Sequence, residues 1–177
     1  MCSSDLSERS EGKTYQSVAP WKLATPIPGG SANRIVEACV PGRGPKVVFS
    51  GLDASVAGDI ERAFAEAGHI VVSNARNFRM DPLVPLLIPE VNADHLKLIE
   101  EQRREKHWTG AIVTNPNCST IVLAMALAPL RVFNIRTVIV STMQAISGAG
   151  YPGVPSLDIL GNVVPFIGGE EPKMEME

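Results

Sequence analysis

The strongest constraint on the fold is a strand–helix–strand pattern within residues 46–73. Lys46–Ser50 is a short β-branched apolar run that ends before Gly51, which is typical of a buried strand. Asp53–Gly68 carries apolar side chains at helical spacing and ends on a glycine, and Ile70–Ser73 is a second short apolar run. A strand, a helix and a strand in so short a stretch form the unit from which parallel sheets are built.

The alternation of strands and helices continues along the chain. Asn92–His107 predicts a charged outer helix, and Ala111–Thr114 predicts a third strand. Asn117–Leu130 is apolar nearly all round, so it predicts a buried helix. Arg136–Thr142 and the shorter Ile35–Val40 both have strand-like composition. Strands that alternate with helices indicate an α/β fold.

Composition and charge exclude several classes of protein. With 177 residues, 45% of them hydrophobic, the chain is an ordinary globular one, and no run approaches the roughly 18 apolar residues of a membrane span. The net charge of −3 lies entirely in residues 170–177, so residues 1–169 carry no field that would attract nucleic acid. The N-terminus lacks an apolar signal region, and we expect a cytoplasmic protein without nucleic-acid or membrane partners.

The cysteines and histidines predict neither a disulfide framework nor a metal site. The three cysteines are odd in number and widely spaced, and no histidine stands at metal-ligand spacing from another histidine or a cysteine. A reducing compartment is therefore expected. The residues concerned are Cys2, Cys39, Cys118, His69, His95 and His107.

Cys118 is the first candidate for chemistry. It follows a predicted strand and begins the apolar helix, with Asn117 as a good N-cap. At that position the helix dipole and the unbonded N–H groups favour a thiolate, and the same groups stabilise an oxyanion in acyl transfer. The alternative is a small buried hydrophobic residue, which is what most cysteines are.

Two further features are open to two interpretations each. Gly148, Gly150 and Gly153 spell G-x-G-x-x-G, but Pro152 interrupts the run where a dinucleotide-binding helix should begin. The stretch is therefore either a loop that lets backbone approach a ligand or a plain turn. Arg79, in the loop after a strand, suits a phosphate or carboxylate ligand or is an ordinary surface arginine.

Four stretches of the sequence resemble the archaeal and fungal branch of the aspartate-β-semialdehyde dehydrogenases. They are FSGLDASVAGDIE, SNARNFRMDPLVPLLIPEVNADHL, AIVTNPNCST and TMQAISGAGYPGVPSLDILGNVVPFI, in the order and spacing of that family. The resemblance runs from about Lys46 to Glu177 and implies an α/β fold in two parts. Residues 1–116 would form a partial Rossmann-like, NADP-binding domain with a parallel sheet. Residues 117–177 would begin an α+β catalytic and dimerisation domain.

The resemblance also implies an activity and roles for particular residues. The family reduces aspartyl 4-phosphate to the semialdehyde with NADP, in the biosynthesis of lysine, threonine and methionine. Cys118 matches the nucleophile that forms an acyl-thioester, and Gln144 matches a glutamine that positions the substrate. The implied substrate-binding residues are Arg79, Asn117, Glu170 and Lys173, and those of the NADP site are Ser7, Arg9, Ser10, Ser50, Gly51, Ser147, Gly148, Ala149 and Gly150.

Two departures from the family pattern lower the activity expected of this chain. The Gly-rich turn near the start of the family's sequences and the family's catalytic histidine have no match here, so the chain is expected to be incomplete at both ends and nearly inactive alone.

One alternative to the dehydrogenase is malonyl-CoA reductase, which shares the fold and the cysteine. Another is a non-catalytic fragment that pairs with intact subunits, because the family's full-length members are oligomers. A cysteine hydrolase, active without NADP, is a third.

Overall fold

Three parallel strands form the sheet around which the first part of the chain folds. In the computed structural model, which describes residues 10–149 and 154–165, they are β1 (Val47–Ser50), β2 (Ile70–Ser73) and β3 (Ala111–Thr114), in the order β1-β2-β3. Ser50 pairs with Ser73, and Ser73 pairs with Thr114, so all three strands end at one edge. The parallel sheet with helical crossovers confirms the predicted α/β fold.

The chain divides into two compact units, Met1–Pro116 and Asn117–Glu177. Their predicted roles, as an NADP-binding domain and the start of a catalytic domain, stay predictions. The helices of the described residues, in chain order, are α1 (Tyr15–Val18), α2 (Gly29–Ala32), α3 (Ala54–Glu66), α4 (Pro89–Asn92), α5 (Leu98–Lys106), α6 (Cys118–Leu127) and α7 (Ser156–Ile159). None of these helices combines the length and the apolar character needed to cross a membrane.

The main core of the first unit lies between α3, the sheet and the segment that follows β2. Phe78 and Trp108 meet edge to face, with ring centroids 6.5 Å apart, a favourable geometry for an aromatic pair. The buried members of this core are Phe64, Ala65, Val71, Phe78, Val84, Trp108 and Ile112.

His69 has a structural place at the start of β2. Its ring is buried, its Nε2 accepts a hydrogen bond from the Gly42 N–H at 2.9 Å, and its Nδ1 lies 2.9 Å from the main-chain oxygen of Pro45. Since Nε2 accepts, the proton is on Nδ1 and the ring is neutral. His69 therefore ties residues 42–45 to the beginning of β2.

Several predicted elements differ from the structure. The predicted helix Asn92–His107 is broken into α4, a 3₁₀ turn at Ala93–Lys97, and α5. Ile35–Val40 is not a strand, because only Ile35 pairs, in an isolated antiparallel bridge with Thr14. β1 is not fully buried, because it lies at an edge of the described sheet and Phe49 is 71% exposed.

The largest differences lie in the second unit. The predicted buried helix is wrong in its burial: in α6 only Thr120 is buried, and Val122 is 72% exposed. Arg136–Thr142 forms no strand and is exposed throughout. A strand forms only where a neighbouring strand bonds its N–H and C=O groups, and no described segment pairs with this one.

Helix α3 begins at an N-cap that makes stability depend on pH. The carboxylate of Asp53 accepts a hydrogen bond from the Ser55 N–H at 2.9 Å, and this backbone bond, with a weaker contribution from the Ser55 hydroxyl, lowers the pKa of Asp53 below its ordinary value of 3.8. A lowered pKa in the folded state stabilises the fold above the unfolded pKa, and this stabilisation is lost as the pH falls through the folded pKa.

We expect the Asp53→Ala variant to be less stable than wild type at pH 7 and to lose less stability than wild type between pH 5 and pH 2. Urea unfolding followed by circular dichroism across that range measures both effects. Asp53→Asn, which keeps the capping oxygen, should match wild type more closely at pH 7. A pH dependence that is identical in wild type and Asp53→Ala would contradict this assignment.

Candidate functional site

Polar side chains gather where β2 and β3 end in the first unit. Asn115 donates from Nδ2 to Oδ1 of Asn74 at 2.7 Å, which joins the two strand ends. Arg79 donates from Nη2 to the main-chain oxygen of Asn74 at 3.0 Å, so this half-buried arginine also lies at that edge. Open parallel sheets bind ligands outside the carboxyl ends of their strands, and this edge is therefore the candidate ligand edge of the unit.

The end of β1 presents backbone rather than side chains. Ser50 is buried and its hydroxyl donates to Glu61 Oε1 at 2.5 Å. Gly51 follows and is exposed, and among the described residues, apart from its two chain neighbours, no atom lies within 4 Å of the place where a Cβ would stand. The main chain at Gly51 is thus open to close approach by a ligand, as a nucleotide site requires.

In the second unit, Cys118 is the first residue of α6. The side chain of Asn117 caps this helix, since its Oδ1 accepts a hydrogen bond from the Ser119 N–H at 2.8 Å. The Cys118 thiol is free and exposed, at the helix end where the dipole favours negative charge. The structure therefore places the Cys118 thiol within reach of solvent at the N-terminal end of α6.

Gln144 lies against the same turn of α6. Its Nε2 donates to the Ser119 hydroxyl at 3.3 Å, so the residue after Cys118 holds the amide of Gln144. Gly148, in the 3₁₀ turn Ile146–Ala149, follows closely: a Cβ there would lie 3.2 Å from Gln144 Oε1. Gln144 therefore contacts the residue that follows Cys118 at the start of α6.

Of the remaining predicted site residues, the structure describes some and leaves others outside the described ranges. Ser10 is buried, and Ser147 and Ala149 belong to the turn Ile146–Ala149. The roles of all the predicted site residues stay predictions. Those outside the described residues are Ser7, Arg9, Gly150, Glu170 and Lys173.

Reasoning from the sequence missed two side chains that contact the predicted ones, Glu61 and Ser119. A signal for Glu61 exists in the sequence: it stands four residues after Ala57 and three before Phe64, on the buried face of α3. A charged residue at such a position needs a partner. Ser119 carries no such signal, because its contact comes from a residue 25 positions away.

No group of three or more His, Cys, Asp or Glu side chains comes together as a metal site within residues 10–149 and 154–165.

A methyl group at position 148 should disturb Gln144. In the Gly148→Ala variant, the added Cβ crowds Oε1 of Gln144, whose bond to Ser119 is already long at 3.3 Å. With Cys118 and Gln144 in the roles that the family resemblance implies, we expect the rate of Cys118 acylation by an acyl phosphate to fall about fivefold, since one hydrogen bond contributes about 1 kcal/mol. Rapid-quench mass spectrometry measures that rate.

Ser119→Ala removes the acceptor of the same hydrogen bond and provides the matched comparison. If both changes act through Gln144, the double variant should be no slower than the slower single variant. If the losses in acylation rate of the two single variants added fully in the double variant, position 148 would act independently of Gln144.

Two family models match the chain. One, described as "Semialdehyde dehydrogenase, NAD binding domain", matches residues 4–99, and the other, "Semialdehyde dehydrogenase, dimerisation domain", matches residues 127–177. The first alone spans more than half of the 177 residues.

Curated proteins and a solved structure agree with those matches. The chain is 54% identical to the aspartate-semialdehyde dehydrogenase of Cryptococcus neoformans and 50% identical to that of Archaeoglobus fulgidus, over 97% of this chain in both cases. A crystal structure of the Candida albicans enzyme with NADP matches 96% of this chain with a TM-score of 0.78 and 42% identity. The chain spans 49%, 50% and 49% of these three relatives, about half of each. These matches confirm the resemblance drawn from the four sequence motifs: the chain belongs to the semialdehyde dehydrogenase family, and the relatives that it matches there are aspartate-semialdehyde dehydrogenases.

Proposed function

We propose that this chain carries the acyl-transfer centre of an NADP-dependent aspartate-semialdehyde dehydrogenase, which converts L-aspartyl 4-phosphate to L-aspartate 4-semialdehyde and phosphate. The observation that carries the proposal is the exposed Cys118 at the first position of α6, with Asn117 capping the helix and Gln144 held at the next residue. The names of the matched relatives supply the substrate class.

Covalent chemistry begins at the sulfur of Cys118. The thiolate attacks the acyl carbon of aspartyl phosphate, so that an S–C bond forms and the bond from carbon to the phosphate oxygen breaks. The carbonyl oxygen gains negative charge in this step, and the first-turn N–H groups of a helix, which have no partner within it, are suitable donors. The amide of Gln144, fixed by Ser119, orients the acyl group.

Phosphate recognition falls to Arg79 in this proposal. A guanidinium binds phosphate through two parallel N–H donors, and the hydrogen bond to Asn74 holds Arg79 at the candidate ligand edge. Lys173 and Glu170, which the family resemblance adds as substrate ligands, lie outside the described residues.

In the first unit the residues fit a nucleotide at Gly51, which exposes its main chain at the end of β1. NADPH, when bound, supplies the hydride that reduces the thioester to the aldehyde. The match to an NAD-binding family model supports this cofactor, and so does the likeness to the Candida albicans enzyme, whose crystal structure contains NADP.

Assembly and location are part of the proposal. The dimerisation-domain match over residues 127–177 supports a homo-oligomer. In the second unit, Ile139 and Met143 are 93% and 99% exposed, as expected for residues that another segment or subunit covers. The substrates are small molecules, and we place the reaction in the cytoplasm.

A burst experiment tests the function. The chain is mixed with aspartyl phosphate in the absence of NADPH, and released phosphate is measured. We expect up to one phosphate per chain, with a thioester on Cys118 detected by mass spectrometry, because no later step removes the acyl group. Malonyl-CoA in a parallel reaction distinguishes the related reductase, which would acylate Cys118 from the CoA ester instead. Absence of acylation by aspartyl phosphate would contradict the proposal.

A further inference from the structure

A buried carboxylate in α3 contacts two serines at the candidate ligand edge. Glu61 is 1% exposed, and its Oε1 accepts from the Ser50 hydroxyl at 2.5 Å and from the Ser73 hydroxyl at 2.6 Å. Its Oε2 is buried and has no hydrogen-bond partner within the described part of the chain. Burying a carboxylate with an unbonded oxygen is costly, so the arrangement calls for an explanation other than stability.

The two serines join Glu61 to both loops that leave the strands. Ser50 and Ser73 are the last residues of β1 and β2 and lie opposite each other in the sheet. Ser73 also accepts a hydrogen bond from the Ala75 N–H at 2.9 Å, at the start of the loop that leads to Arg79. Ser50 is followed directly by the open main chain of Gly51. A single carboxylate oxygen therefore joins the side chains at the exits of β1 and β2.

Gln102 provides a comparison within the same unit, because it is also fully buried. Its Nε2 donates to the main-chain oxygens of Leu83 and Ile112 at 2.9 and 3.0 Å, and its Oε1 accepts from the Ile112 N–H at 2.8 Å. Gln102 thus bonds backbone inside the fold, which is a structural task. Within the described part of the chain, Glu61 bonds two side-chain hydroxyls at the ligand edge and no backbone group, which distinguishes it from Gln102.

We propose that Glu61 is a positioning residue for the nucleotide, acting through Ser50 and the Ser50–Gly51 turn. The proposal rests on the NADP binding proposed above. Because the Ser50 proton is committed to Glu61, Ser50 Oγ is left to accept a hydrogen bond, from a ribose hydroxyl or a carboxamide N–H, and it does not donate to a phosphate. The proposed role of Glu61 is to accept the serine hydrogen bonds, so it requires an accepting oxygen at position 61 and does not require a negative charge.

Calorimetric titration of the whole chain with NADP tests this role. In Glu61→Ala both serine hydroxyls lose their acceptor, and we expect the Kd to rise about tenfold. In Glu61→Gln the amide oxygen still accepts from both serines, and the Kd should stay within about twofold of wild type. A wild-type Kd in Glu61→Ala would overturn the proposal, and so would a loss in Glu61→Gln as large as that in Glu61→Ala.

Two further variants separate positioning from stability. Gln102→Leu removes a buried polar group from the same unit, so it should lower the urea midpoint and leave the Kd unchanged. If it weakens NADP binding as much as Glu61→Ala, the effect is general destabilisation and the proposal fails. Ser50→Ala is milder and decides the matter if Glu61→Ala does not fold, because it removes the hydroxyl through which Glu61 is proposed to act. A Kd raised about threefold supports the role, and a wild-type Kd overturns it. A wild-type chain that does not bind NADP would overturn the cofactor proposal together with this one.

Discussion

Replacing Cys118 with alanine is expected to abolish acylation of the chain by aspartyl phosphate. Without the sulfur no S–C bond can form, and the side chains beside it at the turn, the amides of Asn117 and Gln144, are not nucleophiles. We expect the rate of phosphate release to fall by about four orders of magnitude or more, the usual effect of removing a covalent nucleophile. Phosphate release and intact-protein mass, measured together, check this result.

Cys39→Ala is the matched control for that experiment. Cys39 is half-buried and packs against the main core of the first unit, whereas Cys118 is exposed at the start of a helix. The control should therefore keep full acylation and lose some stability, because a packed side chain is shortened. Acylation that survives in Cys118→Ala and disappears in Cys39→Ala would transfer the nucleophile to the first unit and overturn the proposed mechanism.

Local pattern was sufficient to predict the sheet and the helix between β1 and β2. β2 and β3 are where the apolar runs place them, and α3 lies within the predicted helix Asp53–Gly68 and ends just before the predicted stop Gly68. These elements depend on interactions within a few residues: capping, periodicity and a glycine at positive φ, +98° at Gly68. Such information is present in any short window of the sequence.

Contacts between distant residues explain what the sequence did not reveal. Glu61 meets Ser50 and Ser73 from 11 and 12 positions away, and Gln144 meets Ser119 across 25. No local pattern encodes such a pairing. The predicted burial of α6 was wrong for a related reason. The apolar side chains of α6 predict that other residues pack over it, while in the structure Val122 is 72% exposed. Hydrophobicity shows that a surface tends to be buried, and only the three-dimensional packing shows where.

Among the described glycines of the first unit, Gly110 is the one at which replacement by alanine is expected to cause the largest loss of stability. A Cβ at position 110 would lie 2.0 Å from the main-chain oxygen of His69 and 2.6 Å from that of Ala65. Both atoms belong to backbone that is held by hydrogen bonds, since the Gly110 N–H donates to Ala65 and the Ala111 N–H donates to His69, at 2.8 and 3.0 Å. Neither atom can swing aside as a flexible side chain would.

The end of α3, the start of β2 and the start of β3 must therefore all move to accept the methyl group. Overpacking of this kind costs about 3 kcal/mol or more, a large part of the total stability of about 5–15 kcal/mol of a typical domain.

Urea unfolding followed by Trp108 fluorescence measures the loss, because that indole is buried in the main core. Gly30→Ala is the control: among the described residues, Gly30's chain neighbours and local helix backbone aside, no atom lies within 4 Å of the Cβ that it would add, and its midpoint should not fall below that of wild type. If Gly110→Ala were as stable as Gly30→Ala, the close approach of the three backbone segments at Gly110 would be wrong, and with it the placement of β3 beside β2.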